Sequence, residues 1–283
     1  MTQILKALEG YKNLFYDVVG PVATGAVVAV RVAVNAAYVV PSAARELVGV
    51  IPFLMAEAPA AGDSLLAIGD IIGPDAPKGP CEWLYPVGAG KLGALDEQYT
   101  TPAEFWAIHA PVKGGEVWNV GVEIIAALAG NGQAFVTMVY STKPTGKRQI
   151  MGTFSAIVAG AAAGVAGQAI AGNNLTISNG VQMYELIAAC VNNGVSVTLE
   201  EIASWALMRC TVWDDIQSTQ FFIAPVHAMV GATGNAVIKS IQRLPFDARF
   251  NNPQATIETI LYQWDIMAAV APGFAHGFRY YGS

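Results

Sequence analysis

Laying the chain over itself at a shift of 142 residues brings VEIIAALAGNGQAFVTMVYS (122–141) onto WDIMAAVAPGFAHGFRYYGS (264–283). Pro111 meets Pro253, Glu116 meets Glu258, Ile124 meets Ile266, Ala126, Ala127 and Ala129 meet Ala268, Ala269 and Ala271, and Ser141 meets Ser283. The identities are few, yet the alternation survives the shift. Val120, Val122, Ile124, Ala126 and Leu128 share one face opposite Asn119, Gly121 and Glu123; Tyr262, Trp264, Ile266, Ala268 and Val270 share one face opposite Gln263 and Asp265. A period of two marks a strand with one buried face, and a slip of one residue would turn every apolar side chain to solvent. A chain that keeps this register twice, half its length apart, reads as two like β units. Gly130-Asn131-Gly132 follows the first stretch and Ala271-Pro272-Gly273-Phe274 the second, which predicts a hairpin closing each half.

Weaker echoes lie upstream, where ELVGV (46–50) and SLLAI (64–68) answer ELIAA (185–189) and TLEEI (198–202). The last is also readable as a short helix with Thr198 as cap and Glu201 completing a capping box. YELIAACVNNGVSVTLEEIASWAL (184–207) fits two helices joined at Asn193-Gly194 as well as it fits strands, so 181–210 stays open. STKPTGKRQ (141–149) is polar and turn-prone and marks the boundary. The expected organisation is an N-terminal amphipathic arm over 1–19, a first β-sandwich over 20–141 and a second over 142–283, mainly β with short helices.

In the arm, Ile4, Leu8, Tyr11, Phe15 and Val18 recur at helical spacing behind Thr2 as N-cap. This stripe is expected to face its own protein, a neighbouring subunit or a lipid surface. Val18–Val40 carries Arg31 in its middle and alternates Val28, Val30, Val32 and Val34, which is strand periodicity. Residues 155–172 hold Gly160-x-x-x-Gly164 in a charge-free run, but Ala and Gly insert poorly into bilayers, and no transmembrane span is expected.

Charged residues make up 13% of the chain and apolar ones 54%, too few charges to coat the surface of a small soluble monomer. Much of the outside is therefore expected to be covered by partners. A net charge of -6 disfavours nucleic acid, and the one basic cluster, Lys143, Lys147 and Arg148, reads as a solvated loop. Cys81, Cys190 and Cys210 show neither disulfide nor zinc spacing, and no signal peptide pattern is present.

No GxSxG, HExxH or Walker A pattern occurs. GAGKLG (88–93) matches a dinucleotide loop by letter but lacks the strand and helix such a loop requires, and reads as a glycine loop. The pairs Asp96-Glu97, Glu200-Glu201 and Asp214-Asp215 cannot readily converge on one substrate, because neighbours in a strand point apart. His109, His227 and His276 lie far apart and read as core or interface histidines. Tryptophans at 83, 106, 118, 205, 213 and 264 suit cores and subunit interfaces. No catalytic residue, cofactor or metal site is predicted.

One local motif carries a resemblance to an enzyme family. Pro272-Gly273-Phe274-Ala275-His276 resembles the Pro-Gly-Phe-Gly-His box of citrate synthases and citryl-CoA lyases, and His227 stands in for the upstream histidine of that family. The likeness implies acetyl-CoA chemistry at His227 and His276. Gly277 replaces the usual Arg, and no Asp follows before Ser283 to act as base.

The whole pattern, tandem sandwiches with few charges and an amphipathic N-terminal arm, resembles viral major capsid proteins of the double jelly-roll class. That resemblance implies a structural, non-enzymatic protein that forms homotrimers and an icosahedral shell, sits in the virion beside other capsid proteins, and meets an internal membrane through its N-terminal segment. A third reading is a cell-surface or carbohydrate-binding module that uses exposed Trp83 or Trp106.

Overall fold

The structure, a computed structural model, describes residues 6–23, 30–56, 64–89, 104–127, 132–157, 169–171, 174–178, 180–191, 206–213, 218–226, 241–245, 257–266 and 273–282. Strands dominate. The first eight are β1 (Leu14–Ala23), β2 (Arg31–Val39), β3 (Glu46–Ala56), β4 (Ser64–Ile72), β5 (Glu82–Ala89), β6 (Trp106–Pro111), β7 (Val117–Ala127) and β8 (Gly132–Ser141). The others are β9 (Ile150–Ile157), β10 (Ala169–Ala171), β11 (Leu175–Ser178), β12 (Met183–Val191), β13 (Ala206–Trp213), β14 (Ser218–Val226), β15 (Ile241–Pro245), β16 (Ile257–Ile266) and β17 (Gly273–Tyr281).

Strands β1 to β8 form two antiparallel sheets, in the orders β1-β8-β3-β6 and β2-β7-β4-β5. Strands β9 to β17 repeat the plan as β15-β12-β17-β9 and β10-β16-β13-β14, with β11 also pairing β16. Strands β7 and β16, which the 142-residue shift superposes, hold corresponding places, as do β8 and β17. The alternation explains how the sheets face each other. On β7, Trp118, Val120, Val122 and Ile124 are buried, and on β8 so are Ala134, Val136, Met138 and Tyr140. The inner faces meet where the Tyr140 hydroxyl donates to the Tyr38 hydroxyl at 3.0 Å and Tyr38 donates to the Asp17 carboxylate at 2.8 Å. Trp118 packs beside both rings. Polar groups inside a sandwich require such partners.

The hairpin expectation is corrected. Strand β7 pairs with β2 and β4, whereas β8 pairs with β1 and β3, and β16 and β17 are likewise in different sheets. Periodicity fixes which face of a strand is buried and says nothing about its neighbour; two strands with inward apolar faces can stand opposite each other as readily as side by side.

The helical readings are corrected too. No helix element occurs among the described residues. The predicted helix over 2–18 gives way to β1 from Leu14, where Phe15 and Val19 turn to the core while Tyr16 and Val18 turn out, a period of two. Residues 184–191 belong to β12 and 206–207 to β13; Thr198 and Glu201 lie outside the described residues. Val18–Val40 is two strands in different sheets, not one. GAGKLG begins inside β5, its remainder lying outside the described residues, as do all three acidic pairs. No helix among the described residues is long and apolar enough to cross a membrane.

Gly121 leaves room where Arg31 on β2 crosses β7 to reach β4. The guanidinium lies on Gly121, donating to both Asp70 carboxylate oxygens at 2.7–2.9 Å and to the Asn119 side chain at 2.9 Å; a Cβ at 121 would occupy the same space. The charge in the middle of the apolar run is thereby an outer-face tie across three strands.

Replacing Trp118 with Ala should lower the unfolding free energy by about 3–5 kcal/mol. Tyr16→Ser, at a side chain 55% exposed, should change it by less than about 0.5 kcal/mol. Urea denaturation of the two variants beside the parent checks both.

Candidate functional site

The echo ELVGV/ELIAA places a glutamate at the same point of two corresponding strands. Glu46 on β3 stands opposite Pro111 on β6, and Glu185 on β12 opposite Pro245 on β15. Two residues before each proline comes the partner: His109, whose Nδ1 lies 2.9 Å from Glu46, and Arg243, whose Nη2 donates to Glu185 at 2.6 Å. The two corresponding positions hold a buried carboxylate with different partners, an imidazole in one and a guanidinium in the other.

His109 reaches Glu46 through a bulge. Between the pairs Leu47–Ala110 and Gly49–Ala107 the β6 side carries an extra residue, and His109 takes a left-handed backbone, φ 55°. Bulges re-aim side chains in this way. On its other side the ring stacks on Tyr11 at 5.8 Å and its Nε2 meets the Tyr11 hydroxyl at 3.1 Å. Thr145 completes the Glu46 shell, its backbone N–H and hydroxyl donating at 2.5 and 2.6 Å. Burial pushes the Glu46 carboxyl up, but the bonds from His109 and Thr145 outweigh it and hold the group below the usual carboxylate range.

The second glutamate ties the halves together. Glu185 also accepts from Arg279 Nη1 on β17 at 2.5 Å, and Arg279 donates its other nitrogen to the Ala107 carbonyl on β6. Arg243 donates to the Phe105 carbonyl at 3.4 Å and sits 3.8 Å from Glu104. Both guanidiniums lie over the Trp106 ring, at 4.5 and 5.5 Å from its centroid, and Phe154 of β9 meets that ring edge-on. Burial pushes the Glu185 carboxyl up, yet the two arginines overcome it and hold it below its ordinary range.

Strand β5 closes the seam from the other side. Cys81 bridges Gly152 in parallel, Gly152 donates to the Pro80 carbonyl at 3.0 Å, and Glu82 accepts from the Phe154 backbone at 2.7 Å. Burial raises the Glu82 carboxyl to about 7; the Phe154 bond opposes the shift, and nearby Asp70 and Glu123 add to it. The Cys81 thiol is pushed up to about 12 by burial, which leaves it inert as a nucleophile. Between the sandwiches a cavity of about 710 Å³ opens, with Glu185, Arg243 and Arg279 at its floor and Lys147 and Arg148 among its lining residues.

The sequence-predicted residues fall as follows. Leu8 and Tyr11 pack with Leu14 on Val48, Ile51 and Val139, the outer face of the β1-β8-β3-β6 sheet; Phe15 packs on the main core; Val18 is 59% exposed; Ile4 lies outside the described residues. His276 is buried in β17, between Ser155 of β9 and Ala188 of β12, and His227 lies outside the described residues. Trp83 and Trp106 are 0% and 1% exposed, which overturns their reading as sugar-stacking surface residues. Lys143, Lys147 and Arg148 are exposed as expected, but the last two are held at the cavity. Glu46, Glu185, Arg243 and Arg279 were not singled out by motif; the repeated Glu-Leu was their signal.

No protein-family model matches this sequence, and no curated protein matches it. Among solved structures the chain is similar to the STIV MCP (7% identity, TM-score 0.40, covering 95% of this chain and 97% of that one). It is similar also to the major capsid protein P2 from Bacteriophage PM2 (7% identity, TM-score 0.38, 95% and 98%). A third is PNGase F, a glycosylasparaginase from Flavobacterium meningosepticum (11% identity, TM-score 0.39, 97% and 91%). Likenesses at these scores assign neither family nor activity.

The carboxylates give the seam a two-sided pH response. Glu46 and Glu185, held low, contribute stability present above the unfolded value near 4.5 and lost as pH falls below it. Glu82, held high, works the other way: the native state keeps a proton that the unfolded chain releases, so stability declines as pH rises from about 4.5 to about 7. Denaturation midpoints across pH 4–8 should show that decline in the parent and a shallower one in Glu82→Gln. Glu185→Gln, which strands two guanidiniums, should cost about 3–5 kcal/mol at neutral pH.

Proposed function

We propose that this chain is a self-assembling viral major capsid protein of the double jelly-roll class, built from two tandem jelly rolls over 20–141 and 142–283. The carrying observation is the strand order: two facing sheets, β1-β8-β3-β6 against β2-β7-β4-β5, then the same plan in β9 to β17. That order is an eight-stranded jelly roll, an architecture used by capsid, lectin and cupin domains.

Architecture does not choose among those uses, so surface and core must. The tryptophans offered for sugar stacking are interior, and His276 is closed off within its sheet. What the outside offers is aliphatic. Val39 on β2 pairs across from Val117 on β7, and Ile72 on β4 pairs with Asn119, two residues further along β7; all three face out, with exposures of 57%, 42% and 47%. Exposed aliphatics contiguous over three strands suit contact with neighbouring subunits. The homotrimer, the icosahedral shell and the virion location follow from this reading. Among the described residues of the N-terminal segment, Tyr16 and Val18 are the large apolar groups left to meet another subunit or an internal lipid layer, since Leu8 and Tyr11 are occupied by the chain itself. No chemistry is assigned.

Negative-stain electron microscopy and light scattering of the purified protein should show trimers together with closed shells or hexagonal arrays. Dispersed monomers or dimers at all concentrations would contradict the assignment. The double variant Val39→Asp, Val117→Asp should abolish the assemblies while leaving the far-ultraviolet circular dichroism unchanged.

A further inference from the structure

We propose that the cavity between the sandwiches is a binding site for a small ligand carrying an oxyanion, a carboxylate or a phosphate, which Lys147 and Arg148 receive. The inference stands apart from the assembly reading and holds or fails without it.

The chain carries 15 basic residues against 21 acidic ones, yet four of the basic residues, Lys147, Arg148, Arg243 and Arg279, line this one cavity, where Glu185 is the carboxylate. At the floor the charges are matched: Arg243 and Arg279 share Glu185, with Glu104 at 3.8 Å from Arg243. At the mouth they are not. Lys147 donates to the Tyr11 hydroxyl at 2.5 Å and lies over that ring at 4.3 Å; Arg148 donates to the Gln182 side-chain oxygen at 2.8 Å and lies over the Tyr281 ring at 4.5 Å. These partners are all uncharged, and among the described residues neither cation meets a carboxylate. Among the described residues, the partners of these two long side chains orient them without neutralising them. Preorganisation of this kind removes the rotamer cost that an anion would otherwise have to meet on binding. The arginine fork matches a planar carboxylate or two phosphate oxygens, and the lysine adds a point charge.

Part of the remaining lining is aromatic, from Phe105, Tyr184 and Tyr281. Tyr184 and Tyr281 meet edge-to-face at 5.4 Å, beside the arginine that Tyr281 carries. A volume of about 710 Å³ exceeds what a bare ion needs and falls in the range of small-molecule sites, so the cavity has room for a ligand larger than the oxyanion it carries. The sequence hid this because the cations sit in the polar segment between β8 and β9, which by composition is a connecting loop.

Isothermal titration calorimetry with sodium phosphate and, separately, sodium succinate, each balanced against sodium chloride at equal ionic strength, tests the site. Saturable binding of at least one anion is expected, and which one binds tells phosphate from carboxylate. The double variant Lys147→Gln, Arg148→Gln should weaken it by roughly tenfold or more. Lys147→Arg, which keeps the charge, and Lys143→Gln, at an exposed lysine outside the cavity lining, should bind like the parent. Absence of saturable heat for both anions would overturn the proposal, and so would an affinity unchanged in the double variant whose near-ultraviolet circular dichroism matches the parent.

Discussion

The buried guanidinium of Arg279 is the constraint around which the two sandwiches are arranged. A charge that is 2% exposed must be paired and hydrogen-bonded or it destabilises the fold by several kcal/mol. Its bonds run both ways, to Glu185 within its own sheet and to the Ala107 carbonyl in the other half. The bond to Ala107, with that of Arg243 to Phe105 and the Trp106 ring beneath both guanidiniums, ties β6 to the second half. Apolar contact alone would allow the two halves to slide; a buried fork with directional partners does not. The hydrophobic core then runs across the seam without a break, from Trp106 and Trp83 through Phe154 to Ile187, Ile241 and Ala275.

The β class and the register of β7 were legible in the sequence, since alternation reports burial directly: Val120, Val122 and Ile124 are as interior as their spacing required. Pairing was not legible. The turns after β7 and β16 carry the residues of a hairpin, yet each leads to the facing sheet, and turn chemistry does not encode which of two sheets receives the next strand. The N-terminal arm misled for a different reason. Leu8, Tyr11 and Phe15 fit a helical stripe, but Phe15 is buried by the alternation of β1 while Leu8 and Tyr11 cover the outer face of β3 and β8, so three apolar contacts with two causes mimic one period.

The site was half visible. ELVGV against ELIAA is an echo of strands, and a glutamate opens each copy. It is interior because the partner arrives from β6 or β15, more than fifty residues away in either half, where no local motif points to it. The histidine box at Pro272–His276 shows the reverse error. Short motifs mimic chemistry cheaply, and the register that the 142-residue shift assigns to His276 is that of Ala134, a residue of the sandwich interior.

If the seam makes the halves one unit, they melt as one. Differential scanning calorimetry of the intact chain is the most direct measurement. The account predicts a single reversible transition with a calorimetric to van't Hoff enthalpy ratio of about 1. Two resolved transitions in the parent protein, with neither moved by Arg279→Met, would contradict it.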